Sequence, residues 1–184
     1  MARLVDAGVT PNAVTVSALV LSALGGGAVL WRPDEAWPLL ALPAVLTARM
    51  ALNALDGMMA REHGLASPLG ALLNELGDVL ADAALYLPLA RVAPFPAPLV
   101  VAVATLGIVG EMAGLAAVTV GAERRYDGPL GKSDRAFLFG ALALAVGLGA
   151  EGGTWMGVVL ALAAALAALT VANRLRAAQA GAGR

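Results

Sequence analysis

Long runs of alanine, leucine, valine and glycine alternate with short polar interruptions along the 184 residues. A helix crossing about 30 Å of hydrocarbon needs about 20 mostly apolar residues. Six segments read that way: 11–31, 38–61, 68–90, 97–120, 134–150 and 154–175. Pro11, Pro38, Pro68 and Pro98 stand near segment starts, where proline's missing N–H costs nothing. Thr10, Ser67, Ser133 and Thr154 are candidate N-caps. The pattern predicts an all-α integral membrane protein of six transmembrane helices. The span 1–184 then forms a single transmembrane domain with no room for a second, soluble one. Any function must sit in the helices and their short connections.

Composition agrees. Hydrophobic residues make up 60% of the chain and charged residues 14%, against about half and a quarter in soluble domains. A net charge of −1 creates no field for nucleic acid. With no cysteine and His63 as the single histidine, thiolate and multi-histidine metal sites are excluded. The stretch before Thr10 has no apolar run of signal-peptide type. Positive loops stay cytoplasmic. Arg3, Arg61, Arg124, Arg125, Lys132, Arg135, Arg174, Arg176 and Arg184 fall on one side, and Arg32 and Arg91 on the other. Both termini are therefore expected in the cytoplasm. Trp31, Trp37 and Trp155 would form an interfacial belt on the outer side.

Against this background the second and third segments are oddly polar. Arg49, Asn53, Asp56 and Ala60 recur at spacings of three and four, which places them on one helical face. Gly70, Asn74, Asp78 and Asp82 do the same on the third segment, with Glu75 at the border. The two segments are expected to form an antiparallel hairpin whose polar faces meet, Asn53 and Asp82 deepest. Carboxylates in hydrocarbon are paired, metal-bound or wet. Several acids in one volume repel, and a hard divalent cation with oxygen ligands relieves that. Gly57, Ala60 and Gly70 leave the backbone open to a bulky ligand, and Arg61 suits phosphate. A metal-diphosphate site is one reading. A proton or ion pathway, or plain interhelical hydrogen bonding, is the other.

The stretch Asn53–Asp78 resembles the signature of the CDP-alcohol phosphatidyltransferase superfamily. That signature reads D-x-x-D-G-x-x-A-R, eight residues, then G-x-x-x-D-x-x-x-D. Here Asn53, Asp56, Gly57, Ala60, Arg61, Gly70, Asn74 and Asp78 keep every spacing. The entry G-V-T-P-N-x-x-T at Gly8–Thr15 and the later G-K-S-D-R at Gly131–Arg135 extend the likeness. They point to a bacterial inner-membrane branch whose motif reads N-A-L-D-G. The resemblance implies transfer of a phosphatidyl-type group from a CDP-linked lipid donor such as CDP-diacylglycerol to an alcohol, with release of CMP. It implies Asn53, Asp56, Asn74 and Asp78 as positions for one or two Mg²⁺ or Mn²⁺ ions, and Asp78 as general base. Gly57, Ala60, Arg61, Gly70, Pro11, Asn12 and Thr15 would border the nucleotide and diphosphate. Lys132, Arg135 and Arg125 would bind the acceptor. A homodimer in the inner membrane, its site open to the cytoplasm, is implied as well.

Two signature acids are amides here, Asn53 and Asn74, which bind Mg²⁺ more weakly than carboxylates. The site then holds one metal, or Glu75, Asp82 or Glu111 substitutes, or the protein binds a CDP-lipid without turning it over. The basic cluster Arg124, Arg125, Lys132 and Arg135 suits a phosphate-bearing acceptor, and it equally obeys the positive-inside rule. Glu111, inside the fourth segment, is expected to pair with Arg49 or to lie near the metal. The run Gly25–Gly27 and the pair Gly110 and Gly114 are expected to be helix-packing surfaces.

Overall fold

The computed structural model describes residues 4–5 and 7–182; Arg3 and Arg184 lie outside them. Six long helices occur among the described residues. They are α1 (Pro11–Trp31), α2 (Ala36–Glu62), α3 (Pro68–Tyr86), α4 (Ala97–Ala116), α5 (Lys132–Gly147) and α6 (Thr154–Gly181). Short 3₁₀ turns extend α3 through Leu87–Arg91 and α4 through Ala117–Val120. Pro88, which has no N–H to donate, falls where α3 gives way to its 3₁₀ turn. The α4 extension stops at Gly121, whose φ of 79° favours glycine.

Two of the four expected caps form. Thr10 Oγ1 accepts from Ala13 N at 3.2 Å, and Ser67 Oγ from Gly70 N at 3.0 Å. At α5 the cap is not Ser133: the helix begins one residue earlier, and Asp134 accepts the N–H of Gly131 at 2.8 Å. Thr154 is the first residue of α6 and Gly153 precedes it as the cap.

Among the described residues four helices are long and apolar enough to cross a membrane: α1, α2, α4 with its extension, and α6. The sequence pattern predicts six spans. The two others fall short for a physical reason. Helix α3 carries Glu75, Asp78 and Asp82, and α5 has 16 residues and opens on Lys132, Asp134 and Arg135. Glu75, Asp78 and Asp82 of α3 and Arg135 of α5 turn inward, whereas Asp134 stays exposed in the first turn of α5. On α3, Leu69, Leu72, Leu76 and Leu80 are each more than half exposed, while Asp82 is buried. The helix is thus apolar outside and polar inside, the reverse of a water-soluble surface helix.

Helix α1 packs against both α2 and α3, α4 against α6, and α5 against α2. Its glycines allow this. A Cβ on Gly26 would collide with the carbonyl of Ala84 on α3, and one on Gly25 would come within 2.9 Å of Val45 on α2. The apolar core is built from Leu42 and Leu46, Leu85 and Tyr86, Val100 and Val103, Phe139, and Met156 and Leu160. Tyr86 stacks on Phe139 with ring centroids 4.4 Å apart. These residues come from the early turns of α2, α4 and α6 and the later turns of α3 and α5. In a bundle of successive antiparallel helices that is one half of the molecule. The other half is left to the polar groups.

The expected hairpin of the second and third segments takes a different form. Helices α2 and α3 do not pack closely backbone to backbone; α1 packs on both instead. The polar faces do meet, through Arg49 on Asp82 and Asn53 on Asp78, but across a cleft rather than by close packing of the two helices.

Candidate active site

Helices α1, α2 and α3 enclose a cavity of about 310 Å³. Pro11, Asn12 and Thr15 line it from α1, and Asn53, Asp56, Gly57, Ala60 and Arg61 from α2. Gly70 and Asn74 line it from α3, and Leu65, Ala66 and Ser67 from the connection. Every residue singled out from the sequence as bordering a nucleotide and diphosphate therefore faces one space. Thr15 donates its hydroxyl to Asp56 Oδ2 at 2.5 Å and also to the carbonyl of Pro11 at 3.1 Å. Gly70 lies close against Asn12: a Cβ there would sit 2.8 Å from Asn12 Oδ1 and would push that side chain aside. Among the described residues, Arg61 has no carboxylate within ion-pair distance.

Asp78 faces a second cavity, of about 360 Å³, between α3, α4, the α4–α5 connection, α5 and α6. Glu111, Arg124, Tyr126, Gly131, Lys132, Ser133, Asp134 and Arg174 complete its wall. The boundary between the two cavities is chemical. Asn53, on the first, donates through Nδ2 to Oδ1 of Asp78, on the second, at 2.7 Å. The same carboxylate oxygen takes the ammonium of Lys132 and lies 3.7 Å from Arg49 Nη2. All these contacts use Oδ1.

A buried lattice of ion pairs supports this wall. Arg49 and Arg135 are each 1% exposed and share Asp82, at 2.5 Å on Oδ1 and 2.8 Å on Oδ2. Arg135 also reaches Glu111 at 3.2 Å. Arg124 bridges Glu75 at 2.8 Å and Glu111 at 3.3 Å, and Arg174 meets Glu111 at 3.3 Å. Arg174 donates further to the carbonyl of Gly110 at 2.6 Å. Gly107 and Gly114 make space for these guanidinium groups. A Cβ on Gly107 would stand 2.7 Å from Arg135 Nε, and one on Gly114 would come within 3.4 Å of Arg174 Nη1.

Several expectations change here. Glu111 pairs with Arg124, Arg135 and Arg174, whereas Arg49 takes Asp82; Arg49 stands between α2 and α3, so Asp82 is the acid it meets. Glu75, Asp82 and Glu111, the three candidate replacement ligands, are each held by arginine. Arg135 is buried behind the second cavity and does not line it. Arg125 pairs with Asp127 through two hydrogen bonds of 2.9 and 3.0 Å, which hold the Asp127 carboxyl below the ordinary range. His63 is an exposed residue at the end of α2. Sequence reasoning missed Arg174 and Thr170 as parts of this region. Thr170 accepts the N–H of Leu130 at 3.0 Å and so ties the loop to α6. Their i, i+4 spacing in an otherwise apolar helix was the available signal.

The donor chemistry can be tested against a divalent cation. Asp56 and Asp78 supply two carboxylates, and Asn53 and Asn74 two amide oxygens, all hard ligands suited to Mg²⁺ or Mn²⁺. Among the described residues no group of three or more acids or histidines gathers into a metal cluster. Two carboxylates and two neutral amide oxygens are a donor set that suits a single divalent cation.

Comparison with known proteins gives the family and the fold. The model of the CDP-alcohol phosphatidyltransferase family matches residues 8–172, and the chain belongs to that family. It is 45% identical over 168 residues to the inner membrane protein YnbA of Escherichia coli (strain K12), covering 91% of this chain and 83% of the relative. Its fold is similar to Mycobacterium tuberculosis phosphatidylinositol phosphate synthase (PgsA1) with CDP-DAG bound. The TM-score is 0.81 at 23% identity, over 98% of this chain and 92% of that one. The same enzyme in complex with manganese and citrate gives a TM-score of 0.79 at 23% identity, over 98% and 87%.

Proposed function

We propose that the chain transfers a phosphatidyl-type group from a CDP-linked lipid such as CDP-diacylglycerol to an alcohol, releasing CMP, as a step in phospholipid biosynthesis. One observation carries this reading: the signature residues of α2 and α3, with Pro11, Asn12 and Thr15, line one cavity, and Asp78 stands where it meets a second. The donor's diphosphate would lie beside Gly57, Ala60, Arg61 and Gly70, with the nucleotide toward Pro11, Asn12 and Thr15. The acceptor hydroxyl would approach from the second cavity. Its oxygen bonds to the phosphorus adjoining the lipid, the bond from that phosphorus to the bridging oxygen breaks, and the bridging oxygen departs with CMP. Asp78 receives the hydroxyl proton as general base. Mg²⁺ or Mn²⁺ held by Asp56 and Asp78 with Asn53 and Asn74 would neutralise phosphate charge.

The membrane reading completes the proposal. Six spans become feasible because α3 turns its acids and α5 its Arg135 against neighbouring helices rather than lipid, while Lys132 and Asp134 lie in the first turn of α5. The site then opens to the cytoplasm of a bacterium, with both termini on that side, in a homodimer embedded in the inner membrane. The E. coli relative's description as an inner membrane protein supports the location, and the manganese in the M. tuberculosis enzyme supports the metal.

A second reading has its own support. The hold of Lys132 and Asn53 on Asp78 Oδ1 suits a protein that binds a CDP-lipid without turnover. The deciding experiment reconstitutes the purified chain in liposomes with CDP-diacylglycerol, Mn²⁺ and a pool of alcohols. Metal-dependent CMP release with a new phospholipid in the mass spectrum supports the enzyme. CDP-lipid binding without CMP release supports the binder.

A further inference from the structure

The second cavity is lined by three cationic side chains, and each is paired with a carboxylate. Arg124 is held by Glu75 and Glu111, Arg174 by Glu111, and Lys132 by Asp78. Along the wall three cations, Arg124, Lys132 and Arg174, face three carboxylates, Asp78, Glu111 and Asp134. Behind it Arg135 is closed off by Asp82 and Glu111, and outside it Arg125 is engaged by Asp127. The first cavity differs: its one cation, Arg61, has no acid partner among the described residues.

Charge matching separates what the two spaces accept. A phosphate monoester carries close to two negative charges near neutral pH. Entering the second cavity, it would bring that charge up against Asp78, Glu111 and Asp134, and its pairing with Arg124 or Arg174 would compete with Glu111, which is buried. An acid stripped of its partners at such depth is strongly destabilising. An alcohol without net charge meets no such conflict. Carboxylate oxygens accept from its hydroxyls, and guanidinium and ammonium N–H groups donate to them, while every ion pair stays intact. Tyr126 and Ser133 add hydroxyls of their own.

We propose that the second cavity selects a polyhydroxy alcohol with no net charge as the acceptor, and discriminates against its phosphorylated counterpart. The inference rests on the transfer reaction proposed above, and it reverses the expectation that the basic loop recognises a phosphate.

The test uses the full-length protein in liposomes containing CDP-diacylglycerol and Mn²⁺. Glycerol and inositol are compared with glycerol phosphate and inositol phosphate, and with serine as a zwitterion. CMP release and the lipid product are measured, and CDP binding is titrated in the same preparation. The expected result is a kcat/KM at least about tenfold higher for a plain polyol than for its phosphate ester. In Glu111→Gln, where Arg124 and Arg174 lose their shared acid, that preference should shrink or invert. Preferential use of a phosphate ester or of serine by the unmodified protein overturns the proposal. So does CDP binding with no alcohol accepted at all. Failure to bind CDP overturns instead the donor reading beneath it.

Discussion

Asn53 donates through Nδ2 to Asp78 Oδ1 across 2.7 Å, and this one hydrogen bond joins the walls of two cavities. Asn53 belongs to the space lined by the signature glycines and Arg61. Asp78 belongs to the space lined by Lys132, Glu111 and Arg174. A group transferred from a donor in the first to an acceptor in the second must pass this pair. The amide adds no charge to the carboxylate it meets, and in the proposed reaction that carboxylate takes the proton of the incoming hydroxyl.

Asp78→Asn should therefore lower CMP release by about 10²–10⁴-fold, the usual contribution of a positioned general base. Stability should change little, because an amide keeps the shape and can still accept from Asn53 and Lys132. CMP release and a thermal melt in detergent, read on the same sample, check both halves. Full turnover in the variant would remove Asp78 from the role of base.

Asp82 is also an acid of α3, yet its position assigns it to stability. It is 5% exposed and serves two arginines that are 1% exposed. Asp82→Ala would leave Arg49 and Arg135 as buried charges without their shared partner, a change that costs about 3–5 kcal/mol. The expected outcome is a large drop in melting temperature in detergent. Asp82→Asn, which can still accept hydrogen bonds, should fall between. An unchanged melting temperature in Asp82→Ala would show that the two arginines find other partners.

The contrast between Asp78 and Asp82 shows what was legible in the chain. Spacing placed Asn53, Asp56, Asn74 and Asp78 on facing helices, and apolar length placed all six helices to within a few residues, except that α6 runs on to Gly181. Partner choice was not legible. Helical periodicity says which residues share a face of one helix; it says nothing of which helix lies opposite. Glu111 thus met Arg135, Arg124 and Arg174 rather than Arg49. The cleft between α2 and α3 was hidden for a related reason. The glycines that bring α1 close to both neighbours sit in a run that reads only as small residues, until Ala84 and Val45 are seen against it.

Arg61 is expected to anchor the donor. It lines the first cavity at the end of α2 and has no acid partner among the described residues. A hydrogen bond to a charged group contributes about 1.5–3 kcal/mol. Arg61→Ala should thus weaken CDP binding by about 10–100-fold, given about 1.4 kcal/mol per tenfold. Arg61→Lys should recover part of the loss, because a point charge replaces a planar fork. Titration with CDP in the presence of Mn²⁺ measures this, and CDP binding unaffected by Arg61→Ala would place the diphosphate elsewhere.

On the proposed reading Asn53 and Asn74 limit the metal capacity, and acids placed there should change it in a way that does not depend on turnover. The double variant Asn53→Asp with Asn74→Asp adds two negative charges to a region that already holds Asp56 and Asp78. Without metal these groups repel, and the variant should melt below the unmodified protein. Mn²⁺ binds the folded site and not the unfolded chain, so it should return the lost stability and produce the larger shift in melting temperature in the variant. Mn²⁺ affinity should rise by at least about tenfold, since carboxylates hold a hard cation more firmly than amides. Lys132 works against this gain, because its ammonium already rests on Asp78. Adding Lys132→Met to the double variant should therefore tighten Mn²⁺ binding again. The magnetic resonance signal of free Mn²⁺ reads affinity and stoichiometry directly. Equal or weaker binding in the double variant would mean that the amides are not at the metal position. One ion per chain in the unmodified protein, rising toward two when acids replace both amides, is the expected count.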